Sequence, residues 1–136
     1  MRIFGYSLLA FLSVGVALYA FVAYLFFPLG NFVHPGMKTV FELHPLSIYF
    51  HIFFAATALL VGPFQFSAKL RTRHLSLHRL SGKIYLTSVL VGGTAGLYMA
   101  QFSFGGLVSH LGFSFLAISW ITSSIIAYRA IRRGDI

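Results

Sequence analysis

The side chains able to do chemistry in this chain are few, and most of them are imidazoles. Six histidines stand beside ten Lys and Arg, two carboxylates (Glu42 and Asp135) and no cysteine in 136 residues. Without cysteine, thiol catalysis, disulfides and iron–sulfur clusters are excluded. Two isolated carboxylates exclude paired acid–base catalysis and carboxylate metal clusters, and they argue against a transporter driven by buried acids. The sequence carries no Walker loop, dinucleotide fingerprint, HExxH or nucleophile elbow. No enzyme class is indicated, and the histidines become the candidates.

His51 and His110 are the only readily titratable groups inside long apolar runs. His51 lies some five residues into its run, roughly 7–8 Å deep at 1.5 Å per residue. The two runs point the same way, so the imidazoles can face one another, as a bis-histidine haem b requires. The plainer reading is a neutral imidazole hydrogen-bonded to a Ser, a Tyr or a carbonyl across a helix interface. His78 lies near the far end of the His51 helix, on the order of 25 Å away, too far to share a cofactor. Beside it, Arg79 suits a phosphate, a haem propionate or a carboxylate, and Tyr85 falls on the same face two turns later. The candidate cofactor-binding residues are therefore His51, His78, His110, Arg79 and Tyr85, with His51 and His110 as the iron ligands. His34 and His44 read as solvated loop residues. Lys69, Arg71, Arg73 and His74 read as a belt facing lipid headgroups. Gln65 is expected to satisfy backbone groups freed by Pro63, and Trp120 to serve packing.

The elements that must position these residues are helices in lipid. Hydrophobic residues make up 58% of the chain and charged residues 9%, more apolar surface than a soluble domain of this size can bury. Four runs can cross a bilayer: Gly5–Phe27, Leu46–Ala68, Ile84–Gln101 and Leu107–Tyr128. None contains Asp, Glu, Lys or Arg, each of which would cost ~3 kcal/mol at mid-membrane. The first run, 23 uncharged residues, exceeds the ~7–15-residue core of a signal peptide and reads as a retained span. Pro28, Gly30, Pro35, Gly36 and Pro45 predict an irregular cap over 28–45. A basic connector follows from Lys69 to Lys83, and the turn at Phe102–Gly106 makes the last two spans antiparallel neighbours.

Charge sets direction. With both ends inside, nine of the ten Lys and Arg lie on the cytoplasmic side and only Lys38 outside, as the positive-inside rule demands. The same scatter of bases between apolar runs excludes a nucleic-acid surface. Small and polar residues recur at helical spacing in each run. They are Tyr6, Ala10, Ser13, Ala17, Ala20 and Tyr24; His51, Ala55, Ala58, Gly62 and Gln65; Tyr85, Ser88, Gly92, Gly96 and Met99; His110, Ser114, Ala117, Ile121 and Ser124. These stripes should face inward, because membrane helices associate by close backbone approach.

GPFQF (Gly62–Phe66), LHR-x-x-GKIY (Leu77–Tyr85) and GGTAGLYMA (Gly92–Ala100), followed by Trp120 and RRGD (Arg132–Asp135), resemble a family of predicted bacterial membrane proteins, domain of unknown function 2306. The resemblance spans roughly His51 to Ile136, with His51 and His78 at its motif histidines. It implies a multi-span helical protein of the bacterial cytoplasmic membrane, of unknown activity. Family members continue beyond RRGD into an H-x-x-W-M-x-R motif and further spans, which implies that this chain is the N-terminal part of a larger bundle. A histidine in that motif would enter from the inner side, near His78.

The expectation is thus an all-α, polytopic membrane helical bundle of four spans, N-in and C-in, forming a single domain over 1–136. Its most concrete function is a histidine-bearing bundle that binds haem b or serves quinone-linked electron transfer. A non-catalytic membrane subunit with structural histidines, joined to a membrane partner or oligomer, is the second reading. A proton or small-solute pathway is the third.

Overall fold

In hydrocarbon no water can satisfy backbone N–H and C=O groups, so an apolar chain must bond them internally. The computed structural model describes residues 2–134, with side chains from Phe4 onward, and it is all-helical among these residues. Six helices follow in order: α1 (Arg2–Leu25), α2 (Pro35–Leu43), α3 (Pro45–Gln65), α4 (Ala68–Arg73), α5 (Leu75–Ala100) and α6 (Gly106–Arg133). Three stretches are long and apolar enough to cross a membrane: Phe4–Leu25, Pro45–Gln65 and Gly106–Arg133. Helix α5 is long enough, at 26 residues. It is not among the three: beyond Lys83 its apolar residues are interspersed with Gly, Ser, Thr and Tyr.

The breaks follow from local chemistry. Segment 28–45 is not irregular throughout, as its prolines suggest, but holds α2. The prolines sit at helix boundaries: Pro35 opens α2 and Pro45 opens α3, both at the first turn, where a missing N–H costs nothing. His34 caps α2, its Nδ1 accepting from the Gly36 N–H at 3.1 Å. Pro45 then pushes His44 out of the helical region, to φ −127° and ψ 49°, which ends α2. The basic connector is also more ordered than its composition implied. It contains α4, capped by the Ser67 hydroxyl accepting from the Leu70 N–H at 3.2 Å, and it runs straight into α5. The expected second span stops three residues early, at Gln65, because Pro63 occupies the last turn. Between α5 and α6 the chain reverses through Gly105 at φ 114° and Gly106 at φ 69°, where a side chain would be strained.

Helices α1, α3, α5 and α6 pack side by side in that order, while α1 and α6 share no substantial interface. The result is an open row and not a closed four-helix bundle. The small-residue stripes face inward: Ser13, Ala17, Ala58, Ser88, Gly92, Ala117 and Ser124 are all buried. Phe11, Leu18, Leu107, Val108 and Leu116 point outward. Helix α2 lies across one end of the row. Its Phe41 joins Ile48, Ile52 and Met99 in a cluster against which Ala20, Tyr24, Met37 and Val40 pack.

The tightest seam is α3 against α5. A Cβ built on Gly92 would stand 3.0 Å from the Ala55 backbone nitrogen and 3.1 Å from Phe54 Cβ. Backbone cannot rotate aside, so Gly92→Ala should destabilise the protein by about 1–3 kcal/mol. Gly112→Ala, which meets nothing within 4 Å, should be neutral or stabilising by comparison. Unfolding of both variants in detergent micelles checks this pair.

Candidate functional site

His51 sits on α3 with its imidazole laid over Gly96 of α5. Its Nδ1 lies 2.8 Å from the Gly92 carbonyl oxygen. A carbonyl can only accept, so Nδ1–H donates, and in the neutral form of the ring the lone pair stands on Nε2. That nitrogen has no hydrogen-bond partner among the described residues, nor is it sealed away from open space. The seat is built by two glycines. Gly92 supplies the acceptor and Gly96 supplies the room, since a Cβ there would come within 2.5 Å of Nδ1 and 2.7 Å of Cε1. The Gly92-x-x-x-Gly96 spacing reads as a helix-packing motif in sequence. It also seats an imidazole, which its spacing alone does not reveal.

His51 lines a cavity of about 410 Å³. Tyr24 of α1, Met37 and Phe41 of α2, Ile48 and Ile52 of α3, Met99 of α5, and Phe113 and Trp120 of α6 supply most of the wall. The open side of the helix row faces it, and α2 covers one end. Apart from the His51 ring, the polar side-chain groups of its lining residues are the hydroxyls of Tyr24 and Ser103 and the indole N–H of Trp120. The Ser103 hydroxyl already donates to the Ala100 carbonyl at 2.9 Å. Trp120, expected only to pack, is part of this wall. So are Met37, which belongs to none of the inward stripes, and Met99, which belongs to the α5 stripe.

The remaining candidates fall elsewhere. His110 Nε2–H donates to the Ser103 carbonyl at 2.9 Å, pinning the α5–α6 turn, and His110 does not line the cavity. The structure therefore does not bring His51 and His110 into one pocket. His34, exposed as expected, and His44, half-buried, both lie against that same turn. His34 stacks on Phe104 at 4.5 Å and His44 on Phe102 at 4.2 Å. His44 Nδ1 also lies 3.3 Å from the Tyr98 hydroxyl.

At the other end of α3, Gln65 Nε2 donates to the Ser81 hydroxyl at 3.0 Å, and that hydroxyl donates to the His78 carbonyl at 2.9 Å. Gln65 thus ties α3 to α5 and does not serve the backbone around Pro63. The Tyr6 hydroxyl of α1 donates to the Pro63 carbonyl at 3.3 Å, whereas the carbonyl that Pro63 deprives of a donor is that of Leu59. His78 Nδ1 is enclosed without a partner. Tyr85 packs against Gly62, whose Cβ would lie 3.5 Å from its ring, and Arg79 is exposed. None of His78, Arg79 and Tyr85 lines the His51 cavity. No group of three or more His, Asp or Glu placed to hold a metal occurs among the described residues.

The model of a family described as "Predicted membrane protein (DUF2306)" matches residues 48–136. The matched region holds His51, the α5 and α6 walls of the cavity and the basic connector, and it leaves α1 and α2 outside. No curated protein and no solved structure matches the chain.

Replacing Gly96 by Ala should dislodge the imidazole while leaving the backbone in place, because the clashing atoms belong to a side chain that can swing. The expected outcome is loss of the His51–Gly92 bond with little change in helix content. Nitrogen-15 chemical shifts of the His51 ring report it: a hydrogen-bonded Nδ1 signal in the parent and its disappearance in Gly96→Ala.

Proposed function

The chain belongs to the family of predicted membrane proteins whose model it matches over residues 48–136, and on that premise we propose that it binds a lipophilic redox carrier of the quinol class at His51. The observation that carries this reading is the hydrogen bond from His51 Nδ1–H to the Gly92 carbonyl. It holds the ring in one tautomer and leaves Nε2 without a partner among the described residues, beside a mainly apolar cavity whose other polar groups are the Tyr24 and Ser103 hydroxyls and the Trp120 N–H. A quinol hydroxyl is a donor on an apolar ring and complements that arrangement. An imidazole accepting the hydroxyl proton is suited to act as the base when the carrier is oxidised. The cavity volume lies within the ~300–1,000 Å³ common for small-molecule sites, and a carrier dissolved in the bilayer needs no aqueous route to reach it.

The same reading takes α1, α3, α5 and α6 as four spans, with α5 crossing over Ile84–Ala100. Both chain ends then face the cytoplasm, as the distribution of Lys and Arg favours. The protein is read as a multi-pass component of the cytoplasmic membrane that passes electrons to a partner.

Haem b is the second reading, and one observation favours it: the thioethers of Met37 and Met99 line the cavity with His51, and a His/Met pair is a known axial set. Against it, no Lys or Arg lines the cavity to meet the propionates. The quinol reading is preferred on that ground.

Trp120 is the chain's single tryptophan and lies in the cavity wall, so its fluorescence reports occupancy. A short-chain benzoquinol titrated into the purified protein should quench it saturably. His51→Leu should weaken that binding by roughly tenfold, the worth of one buried hydrogen bond. Equal affinity in parent and variant, or no saturable quenching, sinks the quinol reading. A Soret band in protein expressed with ample haem would move the assignment to haem.

A further inference from the structure

Most of the positive charge of this molecule is gathered at one end, where no carboxylate stands among the described residues. Lys69 and the other four cations of α4 and the first turns of α5 are all exposed, as are Arg129, Arg132 and Arg133 of α6. Helices α5 and α6 are joined by a short turn at their far ends and pack against each other, so the two groups share one end of the molecule. The only carboxylate among the described residues is Glu42 of α2. It sits at the opposite end of α3 and lies 3.9 Å from Lys38. No acidic side chain among the described residues can therefore neutralise the eight cations. Beside them, Phe64 (53% exposed), Phe66 (71%) and Leu77 (54%) present apolar surface. A soluble anion would satisfy the charges and leave those side chains in water.

We propose that this end is a docking surface for anionic phospholipids. Helix α4 and the first turns of α5 lie in the headgroup layer, and Phe64 and Phe66 enter the acyl region beneath. His78 fits the same picture. Its enclosed Nδ1 has no partner, which favours the tautomer with the proton on Nε2. That N–H has no acceptor among the described residues and is a ready donor to a phosphate oxygen next to Arg79. The assignment stands on charge and exposure alone and is independent of what His51 binds.

The test uses the full chain in a neutral detergent, titrated separately with phosphatidylglycerol, phosphatidylcholine and inorganic phosphate. Lipid retention is read by native mass spectrometry and stability by thermal unfolding. Phosphatidylglycerol should be retained and should raise the melting temperature, with an effect that shrinks as salt rises. The Lys69→Gln, Arg71→Gln, Arg73→Gln triple variant should bind it roughly a hundredfold more weakly, at about fivefold per cation. Lys38→Gln, at the other end, should bind as the parent does. Equal retention of phosphatidylcholine, equal stabilisation by inorganic phosphate, or parent-like affinity in the triple variant would overturn the proposal. Should the triple variant lose helix content, the Arg132→Gln, Arg133→Gln pair decides, since it alters only the exposed end of α6. Parent-like affinity in that pair would then count as failure.

Discussion

A polar side chain inside a hydrocarbon slab has no water to turn to, and the seam between α3 and α5 is shaped by that fact. His51 meets it by donating to the Gly92 carbonyl across the interface. The donation is possible only because Gly92 and Gly96 let the two backbones come close enough for an imidazole to reach a carbonyl. The same two glycines thus set the helix separation, the ring tautomer and the direction in which the free nitrogen is available. Interhelical hydrogen bonds in membranes are worth about 0.6 kcal/mol on average. Stability is therefore not the main consequence of this one. Its consequence is orientation, which a binding site needs more than it needs strength.

The rest of the fold repeats the theme at other depths. Gln65, Ser81 and the His78 carbonyl form a short relay joining α3 to α5, and Tyr6 brings α1 to the Pro63 carbonyl. At the opposite end, His110 holds the α5–α6 turn and two imidazole–phenyl stacks hold α2 over the cavity. Of the six histidines, four are thereby engaged in holding elements together, and His51 combines that task with an unused nitrogen. The open order α1–α3–α5–α6 leaves the cavity walled by the long helices, with α2 at one end. Its lining is mainly apolar, with His51, Tyr24, Ser103 and Trp120 as the residues that carry polar groups.

Charge is organised separately from this interior. His51 sits between uncharged stretches of α3 and α5, whereas the cations of α4, α5 and α6 gather at one end, with no carboxylate partner among the described residues. The two systems use different physics: short-range donor–acceptor geometry within the row, long-range attraction to a charged surface at its end.

How much of this was legible beforehand depends on the range of the interaction concerned. Hydrophobic runs, the absence of charge within them, the inward stripes and the family motifs at Gly62–Phe66 and Leu77–Tyr85 are properties of neighbouring residues. The sequence alone determined from them an all-helical membrane protein, its helix faces and its family. Helix α2 was missed because prolines at 35 and 45 break a helix only when they fall inside it, and here they fall at its start and just beyond its end. The cavity, the partition of His51 from His110, and the roles of His34, His44, Met37 and Met99 were decided only by the tertiary structure. Each depends on which helix lies beside which, and whether a ring meets a carbonyl, a phenyl face or open space is settled by contacts between residues far apart in the chain.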